Sequence, residues 1–180
     1  MRPLIVGMGD CQVTSDPERQ LVTYALGSCI AVAIYDPAVR VAGMLHLMLP
    51  DSSIGGAQGA DRPYKFADTG LPLMFHRAYA LGADKRRMTV RVAGGAQVMD
   101  DRGVFDIGRR NYLAARKILW KAGVLIHGEA VGGTASRTIR LDVATGAMWL
   151  RGAGGVEQEF GAPSPGPKGI DYGVPRSDRG

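Results

Sequence analysis

An α+β layered sandwich, with a largely antiparallel or mixed β-sheet covered by two main helices, is the fold this sequence predicts. Three observations point there. Strand patterns come in runs rather than alternating one for one with helices. Two of the strands, Cys29 to Tyr35 and Val41 to Leu49, are apolar on both faces, as a sheet covered on both sides requires. Only two segments carry a sustained helical repeat of apolar residues.

In chain order, Leu21 to Ala25 reads as the first strand, followed by the two doubly apolar ones. Asp51 to Arg62, rich in Gly and Ser, reads as a flexible loop. Leu71, Met74, Ala78 and Leu81 then share one helical face, with a start near Asp68 or Thr69 and a stop at Gly82. Met88 to Ala93 is a strand. Tyr112, Ala115, Leu119 and Ala122 mark the second helix, with Asn111 as N-cap and Gly123 as left-handed stop. Val124 to Val131 is another strand, and Thr138 to Val143 with Ala147 to Arg151 flank a hairpin turn at Ala144-Thr145-Gly146. From Gly152 to Gly180 the chain holds eight glycines, four prolines and few large apolar residues. The expected organisation is one domain over residues 1–151 and a loosely ordered Gly/Pro-rich tail over 152–180.

Composition narrows the function. A chain of 180 residues with 46% hydrophobic and 22% charged residues has the make-up of one globular domain and excludes a disordered chain. The net charge of +5 suits an acidic partner. Arg86-Arg87 and Arg109-Arg110 are short and lack interleaved aromatics, so they read as solvated faces and nucleic acid is not an expected partner. Cys11 and Cys29 cannot make a disulfide scaffold, and no Cys-x-x-Cys spacing suggests a metal. The N-terminus is broken too early for a signal peptide, and the longest apolar run falls far short of the ~20 residues that span a bilayer. A cytoplasmic protein with free thiols and no membrane insertion is expected.

The chemistry concentrates at the second and third strands. Asp36-Pro37-Ala38-Val39 has a type I turn signature. A hairpin centred between Pro37 and Ala38 pairs Ile30 with Leu45, Ala31 with Met44 and Cys29 with His46, whose Cβ atoms would lie ~5 Å apart. A one-residue slip would put Cys29 and His46 on opposite faces. Two readings stand at this point. Each residue fits the core as a small hydrophobe or a satisfied imidazole. Together they fit a nucleophile, with an imidazolium lowering the thiol pKa and then serving as acid and base. Gly27-Ser28 allow a sharp turn that aims the Cys29 amide at an oxyanion, and the Thr23 hydroxyl is placed to hold the imidazole tautomer. Cys11, His76 and His127 lack comparable partners and read as structural. Gly94-Gly95 and Gly132-Gly133 fit tight turns and no phosphate loop.

Thr23-Tyr24-Ala25-Leu26-Gly27-Ser28-Cys29, followed by Gly43-Met44-Leu45-His46-Leu47-Met48-Leu49-Pro50, resembles the signature of the chemoreceptor glutamine deamidases, the CheD family. The similarity continues through Lys65-Phe66-Ala67-Asp68, Ala93-Gly94-Gly95-Ala96, Ile107-Gly108-Arg109-Arg110-Asn111, Val131-Gly132-Gly133, Arg137 and Asp142 to Gly146. The resemblance implies a layered α/β sandwich and a catalytic set of Cys29, His46 and Thr23. It implies hydrolysis of selected receptor glutamines to glutamate without a cofactor, and in many relatives a phosphatase partner, CheC. Ala130 and Ser136 depart from the family pattern. A non-catalytic regulator that binds the phosphatase, or a receptor methylesterase using the same nucleophile, are the alternatives.

Overall fold

The computed structural model describes residues 1–59, 61–97, 106–152 and 154–161. Among the described residues, ten strands and two α-helices form three layers: a sheet, a second sheet and a pair of helices. The α+β class is as the sequence predicts, but the strands divide into two five-stranded sheets. The elements are β1 (Arg2–Ile5), β2 (Asp10–Thr14), β3 (Arg19–Leu26), β4 (Ile30–Asp36), β5 (Val41–Leu47), α1 (Ala67–Ala80), β6 (Thr89–Gly94), α2 (Ile107–Lys121), β7 (Gly128–Val131), β8 (Arg137–Asp142), β9 (Met148–Arg151) and β10 (Glu157–Glu159). The outer sheet runs β1-β3-β8-β9-β10 and the central sheet β2-β5-β4-β6-β7. β1–β3 and β6–β7 are parallel pairs and the rest are antiparallel.

The central sheet explains the doubly apolar strands. Ile30, Val32 and Ile34 of β4 face the helices, where they meet Leu71, Met74, Tyr112 and Leu119. Ala31, Ala33 and Tyr35 face the outer sheet, where they meet Leu21, Ile139, Leu141 and Met148. Large side chains thus fill the helix side and mostly small ones the sheet side. Every residue of β4 and β5 is buried, which at ~25 cal/mol per Å² of apolar surface makes this layer the main source of stability.

The β4–β5 register differs from the expected one. Ile30 pairs with Leu47, Ala31 with His46 and Ala33 with Met44, two residues away from a hairpin centred between Pro37 and Ala38. The reason is the turn. Asp36 pairs with Val41, so Pro37 to Arg40 form a four-residue loop, closed by the Asp36 carboxylate accepting from the Ala38 amide and by Arg40 in the left-handed region (φ 52°). Because the shift is two, every side chain keeps its face.

The first helix starts beside the expected Asp68, and the second starts earlier than expected. α1 begins at Ala67 without a side-chain cap. Asp68, expected near the cap, instead accepts from the Ser52 amide and hydroxyl, anchoring the 3-10 turn Ser52–Gly59 where a flexible loop was expected. α2 begins at Ile107 with Asp106 at its N-cap, so Asn111 is an interior residue and not the cap. Both stops occur as expected, with Gly82 (φ 86°) and Gly123 (φ 67°) in the left-handed region. β1 and β2 were not anticipated, and the segment read as a tail opens with β10, which pairs with β9 while Phe160 enters the core between the sheets. Residues 162–180 lie outside the described residues.

Candidate active site

His46 lies on β5, facing the layer between the sheets, and is 2% exposed. Opposite it, in the outer sheet, Thr23 of β3 is fully buried. The Thr23 hydroxyl donates to the Val6 carbonyl at 2.8 Å, and its oxygen lies 2.8 Å from His46 Nδ1. A hydroxyl has one proton. Once that proton goes to Val6, which can only accept, the hydroxyl must accept from His46, so Nδ1 carries the imidazole proton. Nε2 therefore holds the free lone pair. It is buried and, among the described residues, has no hydrogen-bond partner. Burial also depresses the imidazole pKa to about 4, with the Val6 carbonyl opposing. At neutral pH His46 is an uncharged base with one nitrogen fixed and the other unengaged.

Cys29 sits where the chain crosses from the outer to the central sheet. The β3–β8 register shifts between Thr23 and Leu26, and Ala25 adopts a left-handed conformation (φ 53°). This bulge turns the chain out of β3, and Gly27-Ser28-Cys29 then lead into β4. Three successive carbonyls of this loop are held: Gly27 by the Ala96 amide at 2.8 Å, Ser28 by the Asn111 side chain at 3.1 Å and Cys29 by the Gly95 amide at 2.8 Å. The Cys29 side chain is half-buried and packs against the cluster between the sheets, so it shares a layer with His46. Burial raises the thiol pKa, and the backbone amide of Cys29 itself opposes this.

The two groups lie on the same side of the central sheet, and among the described residues Nε2 has no hydrogen-bond partner. This corrects one sequence expectation. An imidazolium was expected to lower the thiol pKa, whereas the thiol is raised and the imidazole lowered, both by burial. The resting site holds a neutral thiol and a neutral imidazole.

Of the other residues singled out, Gly27 is half-buried and Ser28, beside Cys29, is exposed. Cys11 lies in the helix-facing core, His127 Nδ1 accepts from the Val90 amide, and His76 stacks edge-on against Tyr79. Ala130 pairs with Ala93 near the core between the sheets, and Ser136 is exposed. Among the described residues, no three His, Cys, Asp or Glu side chains gather as a metal site would require, and no helix is long and apolar enough to cross a membrane.

Sequence reasoning missed three parts of the site. Val6 acts through its backbone, for which a sequence carries no signal. Gly94 (φ 111°) and Gly95 (φ 66°) are more than turn residues, because a Cβ at Gly94 would collide with the Cys29 carbonyl. Asn111 was legible as a polar residue on the buried stripe of α2, one turn before Ala115.

Comparison with known proteins agrees with the resemblance. Residues 48–152, more than half the chain, match the family model described as CheD chemotactic sensory transduction; the span begins just after His46. A protein of Solibacter usitatus named probable chemoreceptor glutamine deamidase CheD is 57% identical over 84% of this chain and 89% of its own length. A Syntrophus aciditrophicus protein named probable chemoreceptor glutamine deamidase CheD 1 is 50% identical over 89% of this chain and all of its own, 100%. The Thermotoga maritima chemoreceptor glutamine deamidase CheD is 37% identical over 86% and 94% of the two chains. Among solved structures, Neisseria meningitidis protein NMB0706, of family DUF152, overlaps 72% of this chain and 63% of its own with a TM-score of 0.41 and 15% identity, too loose to carry a functional inference. The chain belongs to the CheD family of chemotactic sensory transduction proteins.

Proposed function

We propose that this protein is a chemoreceptor glutamine deamidase, a cysteine-dependent amide hydrolase acting on glutamine side chains in the cytoplasmic helices of chemotaxis receptors. The observation that carries the reading is the Val6–Thr23–His46 chain, which fixes the proton on Nδ1 and leaves a buried, unpartnered Nε2 in the same layer as the Cys29 thiol. A core histidine with no further task would have both nitrogens satisfied.

In the reaction, the Cys29 thiol proton passes to His46 Nε2 as sulfur bonds to the carboxamide carbon. The oxygen takes the negative charge and is met by backbone amides of the Gly27-Ser28-Cys29 loop, that of Cys29 among them. Imidazolium then gives its proton to the departing nitrogen, the C–N bond breaks and ammonia leaves a thioester. Water, deprotonated by Nε2, attacks the thioester; the tetrahedral adduct expels sulfur, which regains its proton, and glutamate is released. Thr23 holds the imidazole ring throughout. No cofactor takes part, and the catalytic unit, which includes β10 and Phe160 beyond the expected boundary at residue 151, acts in the cytoplasm.

The test is mass spectrometry of a receptor cytoplasmic fragment after incubation with the protein. Conversion of specific glutamines to glutamate is expected, and none with Cys29→Ala. Undiminished conversion by Cys29→Ala would overturn the assignment. The absence of a thiol–imidazole hydrogen bond in the resting site also fits a second reading, a regulator that binds a CheC-type phosphatase without turnover. Normal signalling in cells by the Cys29→Ala protein, with phosphatase binding retained, would favour it. Loss of methyl esters from a methylated receptor fragment would instead mark a methylesterase.

A further inference from the structure

β4 and β5 separate at the end of the sheet that carries the site. Their last pair is Ile30 with Leu47. The next pair in this register would be Cys29 with Met48, but the two chains go to other partners there: the Met48 amide donates to the Lys65 carbonyl, and the Cys29 carbonyl accepts from the Gly95 amide. The gap between them is spanned from α2. Asn111, fully buried, places Nδ2 at 3.1 Å from the Ser28 carbonyl and 2.8 Å from the Met48 carbonyl. Both neighbours are acceptors, so the amide must turn its NH2 toward them, and one nitrogen with two protons serves both. One turn earlier, Gly108 lets α2 come up against the backbone of Gly95, where a Cβ would clash. The helix is thereby seated beneath the same loop that Gly95 and Ala96 grip from β6.

We propose that Asn111 is a positioning residue, a side-chain splint that fixes the loop of Cys29 relative to the strand of His46 where the sheet no longer does so. This rests on the reading of Cys29 as nucleophile and His46 as its base. Ser28 is adjacent to Cys29, and Met48 is two residues beyond His46, so the two bonds of one amide set the spacing of the reacting groups. Displacement on the order of 1 Å in such a pair costs about 100-fold in rate, whereas substrate binding outside the pair is untouched. The expected signature of Asn111→Ala is a fall in kcat of about 10- to 100-fold with KM changed less than about twofold.

The protein carries its own control for unfolding. Cys11 is 1% exposed with its thiol pKa pushed up to about 12, so it is alkylated only when the core opens. The experiment compares iodoacetamide labelling of Cys29 and Cys11, by peptide mass spectrometry, in the wild-type, Asn111→Ala, Asn111→Ser and His46→Ala proteins, alongside turnover. The expected result is that Asn111→Ala slows Cys29 labelling toward the His46→Ala rate while Cys11 stays protected, and that Asn111→Ser, which keeps one donor, falls between. Wild-type Cys29 labelling and turnover in Asn111→Ala would overturn the proposal. So would labelling of Cys11 in step with the loss in both Asn111 variants, which would make Asn111 a residue of the fold alone. If Cys29→Ala retains turnover, the reading of the site itself fails; if it is inactive while Asn111→Ala is normal, only the splint fails.

Discussion

The molecule has two cysteines, and their surroundings differ. Cys11 lies on β2 in the layer between the central sheet and the helices, with its carbonyl bonded to Arg77 and its amide to Asp10. Cys29 is half-buried against the core between the sheets. Burial raises both thiols, that of Cys11 to about 12, so neither is a standing thiolate at neutral pH. The difference is that Cys29 is only partly buried and shares its layer with an imidazole whose Nε2 has no hydrogen-bond partner among the described residues. On the proposed reading, reactivity comes from a prepared base and from access, not from a standing thiolate.

The largest expected effect is the asymmetry of the thiols themselves. Cys29→Ala abolishes glutamine conversion, while Cys11→Ala leaves it within about twofold, a buried Cys acting as a small hydrophobe; comparable losses in the two variants would dissolve the contrast. Next, His46→Ala lowers kcat by about 10²- to 10⁴-fold, as loss of a general acid–base does. Thr23→Val keeps the shape but removes the group that fixes the tautomer, and a loss of about 10- to 100-fold is expected in kcat. With a base whose pKa is about 4, kcat/KM stays level from neutral pH down to about pH 5 and falls below it. A thiolate–imidazolium pair would instead place the acid limb at the thiol pKa.

The same histidine governs acid stability. In the native state it titrates at about 4, against 6.5 when unfolded, so between those values the unfolded chain binds more protons. Stability is therefore full above pH 6.5, declines as pH falls toward 4, and the total loss is about 3 kcal/mol. Urea titrations at pH 7 and pH 4.5 are expected to show a smaller pH-dependent loss for His46→Gln than for wild type; equal losses would mean that the imidazole is not buried neutral. The smallest effect concerns encounter. With net charge +5, association with an acidic receptor fragment is expected to slow as salt is raised from 50 to 300 mM, roughly within tenfold.

What the sequence revealed and what it hid divide along physical lines. The double-faced apolarity of β4 and β5 announced a covered sheet, and the face shared by Cys29 and His46 could be read from their parity. Their exact pairing could not, because it depends on whether Arg40 enters the left-handed region and lengthens the turn, a choice worth only about 1–2 kcal/mol. The separation of strands into two sheets was hidden for a similar reason: the bulge at Ala25 that sends the chain across occurs at a residue with no bias toward positive φ. Asn111 was visible but misassigned, since an Asn before an apolar run is a common cap. Its buried position one turn ahead of Ala115 was the better guide.

The most direct measurement is to stop the reaction with acid and locate the acyl group by peptide mass spectrometry. A receptor fragment turning over on the wild-type protein should leave a thioester on Cys29, carrying the mass of the glutamine peptide less ammonia. Cys11 should stay unmodified, and the adduct should be absent from Cys29→Ala. An acyl group on any other residue, or steady conversion of glutamine by the Cys29→Ala protein, would contradict the account.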